Sequence, residues 1–73
     1  MALFKKHRTA VFYTRQYFDI YPVIIPVNIT LQEAHRLIGL YDPVTSVEKW
    51  GDDTRTTYNI SNDIWIVITE TMV

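Results

Sequence analysis

Five consecutive residues, Ile64-Trp65-Ile66-Val67-Ile68, are apolar without interruption. That pattern predicts a strand covered on both faces, central in a sheet or closed over by a partner. Just before it, Thr54, Thr56, Tyr58 and Ile60 alternate with Arg55, Thr57 and Asn59, the period-two pattern of a half-buried strand over 54–60. The turn Ser61-Asn62-Asp63 separates these two strands, and Gly51-Asp52-Asp53 separates 54–60 from a strand at 44–50. Both turns are short enough for hairpins. In the first half, residues 10–18 are β-branched and aromatic and lack a helical stripe, and 23–29 read the same way. Pro26 removes an amide donor, which puts 23–29 at an edge or at a bulge. Tyr21-Pro22 is the expected turn between the two.

The pattern changes period once. Leu31, Ala34, Leu37 and Ile38 recur at helical spacing, with Gln32, Glu33 and Arg36 left to water. Thr30 followed by Glu33 makes a capping box, with the Thr hydroxyl bonding the Glu33 amide and the Glu carboxylate returning to the Thr30 amide. Gly39 is the expected left-handed end, with Leu40 folding back on the last turn. A helix over 30–39 is too short to stand alone and must lie on a sheet. The predicted fold class is therefore α+β: one domain over 1–73, with a small five-stranded, mostly antiparallel sheet. A single short helix lies on one face, in the order ββαβββ. One helix covers one face, so the other is either wet or covered by another molecule. Residues 1–8 read as a flexible basic arm.

With 73 residues, the chain buries only about 60% of the surface it exposes when unfolded. The absence of cysteine removes disulfides and thiolate metal sites as sources of stability. Packing or self-association must supply it. An apolar content of 48%, with two Trp, five Tyr and three Phe, suits either. The net charge of −1 hides an asymmetry: residues 1–36 carry +3 and residues 37–73 carry −4. Such a split steers a charged partner or a second copy, or is neutralised within one fold. No stretch reaches the roughly 18 apolar residues of a membrane span. The charges of Lys5-Lys6-His7-Arg8 follow a short apolar run rather than precede it, unlike a secretory signal, so the expectation is cytoplasmic. Asn28-Ile29-Thr30 and Asn59-Ile60-Ser61 match the glycosylation acceptor pattern by chance on that reading.

Catalytic chemistry finds little support. Ser46, Ser61, His35 and several Asp are the ingredients of a nucleophile–base pair, but His35 reads as a residue bordering the core of the helix. No phosphate-binding loop or dinucleotide fingerprint is present. Asp52-Asp53, the one adjacent carboxylate pair, is explained by its turn. No catalytic residue, metal site or cofactor is expected. Nucleic acid is a fairer contest: Lys5, Lys6, Arg8 and Arg15, interleaved with aromatics of 10–18, are what a single-strand binder would use. The pI of about 6.0 and the acidic second half weigh against it. The aromatic excess points elsewhere. Tyr13, Tyr17, Tyr21, Trp50 and Trp65 are the large amphipathic side chains enriched at protein interfaces.

The expectation is a small non-catalytic interaction module, regulatory or inhibitor-like, that self-associates through an aromatic sheet face and binds a protein partner. A nucleic-acid binder is the first alternative. A binder of a small nucleotide-like ligand, with its pocket between protomers, is the second. Size and layout are similar to those of many compact regulatory and phage-type accessory proteins, a likeness that carries no residue-level function.

Overall fold

The structure, a computed structural model, describes residues 6–72. They form β1 (Lys6–Phe18), β2 (Tyr21–Ile29), α1 (Leu31–Tyr41), β3 (Val44–Trp50), β4 (Asp53–Ser61) and β5 (Ile64–Met72). The strands make one antiparallel sheet in the order β2-β1-β5-β4-β3. The ββαβββ order and the small α+β class are as expected. The doubly apolar run 64–68 is the central strand, and the Pro-bearing strand is an edge.

Register fixes which side chains share a face, because directly opposed residues point the same way. Ala10 opposes Ile68, Phe12 opposes Ile66, and these oppose Thr56 and Tyr58 in turn. On this side α1 packs across β1 and β4. Ala34 is fully enclosed against the sheet, and Leu31, Leu37 and Ile38 flank it over Ala10, Ile66 and Ile68. The small Ala34 side chain lets the helix approach closely at that point. Among the described residues four form this buried core, so single buried positions matter a great deal in a chain of this size.

The helix begins as its sequence dictates. Thr30 is the N-cap (φ −74°, ψ 155°), and its hydroxyl accepts the Glu33 amide at 3.1 Å, worth about 1 kcal/mol. Among the described residues, the Glu33 carboxylate does not return the bond. The helix end differs from expectation. It runs through Gly39 to Tyr41, and Asp42 takes the left-handed cap (φ 44°), its amide donating to the Ile38 carbonyl at 3.0 Å. Asp tolerates that conformation because its short side chain bonds locally, and the following Pro43 stops the helix. Leu40 does not fold back but stands 68% exposed.

Two further expectations change. The first hairpin turns at Asp19-Ile20, with Asp19 at φ 56°, and Tyr21 and Pro22 belong to β2. Strand β1 begins at Lys6, so residues 6–8 of the expected arm are paired with β5; residues 1–5, including Lys5, lie outside the described residues. No helix among the described residues is long and apolar enough to cross a membrane.

Candidate functional site

Opposite the helix, the sheet presents a face that no other element of the described chain covers. Trp65 sits at its centre on β5, half-buried, directly opposite Tyr13 of β1. The two rings stack at 5.6 Å between centroids, 10° from parallel. Such a contact is worth about 1 kcal/mol beyond area burial. Arg15, two residues along β1 on the same face, places its guanidinium 5.2 Å from the Trp65 centroid. That guanidinium also donates to the Asn62 carbonyl at 2.9 Å and lies 3.9 Å from the Asp63 carboxylate. Two open depressions flank Trp65, of about 440 and 310 Å³. Arg15, Asn59 and Ser61 line the first, and Tyr13, Arg55 and Glu48 the second. Polar groups at the rim of an aromatic floor can hold peptide groups or planar rings.

The face continues in both directions. Tyr17 follows Tyr13 and Arg15 on the same side of β1 and is 59% exposed. Trp50 ends β3 on the same side, its indole donating to Glu48 at 3.0 Å. Four of the five expected interface aromatics therefore share one face. Tyr21 does not: it opposes Phe18 and points to the helix side.

The expected basic patch is divided. Lys6 and Arg8 point to the helix side, where both hold Glu70, at 3.7 Å and 2.9 Å. The hydrogen bond from Arg8 keeps the Glu70 carboxyl below its ordinary pKa of 4.5, with Lys6 adding to the effect. Arg15 stands on the other face. Alternation along β1 separates residues that are close in sequence, so 6–15 cannot form one cationic stripe.

The pattern along the chain missed the hairpin end. β5 pairs with β1 only as far as Thr14, yet β1 continues to Phe18. Gln16–Phe18 and Tyr21–Val23 therefore pair only with each other. This overhang helps stretch the molecule to 55 Å in its longest dimension. Its tip is apolar: Ile20 is 81% exposed and Tyr21 69%, with Phe18 beside them. The available signal was Asp19, one of few residue types at ease in a left-handed turn; Pro22 drew the turn two residues too far along. His35 is exposed on the helix, and Ser46 and Ser61 lie on separate strands. Among the described residues no three metal-ligating side chains converge. No protein-family model, no curated protein and no solved structure matches this chain.

Proposed function

We infer that the chain is a small non-catalytic interaction module that binds a protein partner through the open sheet face and the hairpin that prolongs it. The observation that carries the reading is the overhanging β1–β2 hairpin with Phe18, Ile20 and Tyr21 at its end. Apolar side chains concentrated on a protruding, otherwise unsupported hairpin contribute nothing to the chain's own core, and patches of that kind mark binding surfaces. The aromatic floor around Trp65 supplies the rigid, amphipathic contact area that protein interfaces favour. Charges on this face are mixed, with Arg15 and Arg55 alongside Glu48 and Asp53, which suits a protein better than a polyanion.

A photo-crosslinking residue placed at Ile20, with one at Arg36 on the exposed side of the helix as control, tests the reading in cells that make the protein. The expected result is a discrete protein adduct from position 20 and none from 36. Equal labelling from both positions, or none from either, overturns it. A nucleic-acid adduct at position 20 supports the alternative, in which Arg15 and the aromatic floor take a single strand.

A further inference from the structure

The two edges of the sheet are treated differently by the sequence. β2 carries Pro22 and Pro26, four residues apart and so facing the same way, within an unbroken ladder to β1. A proline inside such a ladder keeps its donor-less nitrogen on the outer side, so the outer edge of β2 lacks two donors. That is a usual protection against pairing with another chain. β3 has no proline and no bulge against β4, and all seven of its residues are exposed. Val44 (75%), Val47 (62%) and Trp50 (64%) leave large apolar surface along it. Among the described residues β3 is an unpaired, proline-free edge of three apolar and four polar residues, and its free backbone groups are a template for another strand.

We propose that two copies of the chain join through β3, antiparallel about a two-fold axis at Val47, into one continuous ten-stranded sheet. The strand is complementary to itself in that register and in no neighbouring one. Centred on Val47, all seven residues pair: Val44 with Trp50, Thr45 with Lys49, Ser46 with Glu48, and Val47 with itself. No like charges stand directly opposite each other. Moving the axis to Glu48 opposes two carboxylates, and moving it to Lys49 opposes two ammonium groups, both destabilising. Moving it to Ser46 leaves Lys49 and Trp50 without partners in the ladder. A two-fold axis normal to the sheet puts both helices on one side and both open faces on the other. The Val44–Trp50 pairs then bridge the aromatic floors of the two copies. With β2 blocked by proline, pairing stops at two copies instead of growing into a fibre. Self-association would then run through the sheet edge instead of the aromatic sheet face expected from the sequence, leaving the Trp65 face free for a partner. The proposal does not depend on the nature of that partner.

The test uses the full chain, which has no cysteine of its own. Light scattering at micromolar concentration is expected to give a dimer of about 17 kDa, twice the 8.6 kDa chain. Val47→Cys places two thiols opposite each other across the axis, with Cβ atoms about 5 Å apart, close to disulfide range. Mild oxidation should capture it as a covalent dimer. Val44→Cys puts its two thiols about 20 Å apart along the strands and should stay uncrosslinked. Val47→Lys and Val47→Glu should each be monomeric, and mixing them should restore a one-to-one dimer. A monomeric wild-type chain, equal crosslinking at positions 44 and 47, or failure of the mixed pair to associate overturns the proposal. A monomer that still yields the Ile20 adduct would leave the functional reading standing without this one.

Discussion

Trp65 and Ile66 are adjacent on β5 and point to opposite faces, so the same substitution at each separates the open face from the core. Ile66 is completely enclosed beneath the helix. Ile66→Glu forfeits about 2–3 kcal/mol of apolar burial and buries a carboxylate between Phe12, Tyr58 and the helix, at a further several kcal/mol. A core of this size supplies about 3–5 kcal/mol in total, so the variant should be unfolded in buffer. Trp65 is half-buried. Removing about 100 Å² of covered ring surface costs about 2–3 kcal/mol, and losing the Tyr13 stack costs about 1 kcal/mol more. The new carboxylate reaches water beside Arg15, an ion pair that returns up to about 1 kcal/mol and leaves the net loss at about 2–3 kcal/mol. Trp65→Glu should therefore remain folded. With a urea dependence of about 1 kcal/mol per molar, its midpoint should fall by about 2–3 M. The assay is urea unfolding followed by far-ultraviolet circular dichroism. Protein concentration is equal in all arms, because association of native chains adds to apparent stability. If Trp65→Glu has lost its structure in buffer as fully as Ile66→Glu, the face around Trp65 is core and its assignment as an open surface is refuted.

Gly39 and Gly51 both have empty space where a Cβ would sit, but only Gly51 is left-handed, at φ 61°. Thermal melts should show Gly39→Ala stabilised by up to about 1 kcal/mol, since alanine is the better helix former. Gly51→Ala should be destabilised by about 1–2 kcal/mol from backbone strain alone. Glu70 ties stability to pH: its carboxyl titrates below 4.5 in the folded chain because Arg8 bonds its charged form. The stabilisation is thus present above the unfolded value and lost as the pH falls through the folded one. Glu70→Gln, compared with wild type in denaturant titrations across that range, should lose stability at neutral pH and show a shallower decline on acidification. Parallel pH profiles for the two proteins would contradict the assignment.

What the sequence determined by itself was carried by neighbours along the chain, though not every local signal prevailed: the helix passes Gly39 and the first turn falls at Asp19-Ile20. The uninterrupted apolar run 64–68 marks a strand that is central in a sheet or closed over by a partner, and it is the centre of the sheet. Thr30 and Glu33 set the start of the helix through a bond spanning three residues, and Pro26 confined its strand to an edge. Trp65 was legible as the residue opposite the helix, near the aromatics of 10–18, because strand alternation needs no knowledge of the partner strand. Tertiary structure decided what depends on register and on where one strand outlasts another. The basic residues look continuous as written, yet Lys6 and Arg8 are held by Glu70 from the far end of the chain while Arg15 joins Trp65 on the other face. The apolar hairpin end became a surface only because β5 stops opposite Thr14. Two turns competed for the first hairpin, and pairing between whole strands settled on Asp19-Ile20. The proline-free edge at β3 emerged in the same way: nothing in residues 44–50 marks an edge until the order of all five strands is known, since edges belong to the sheet and not to the strand.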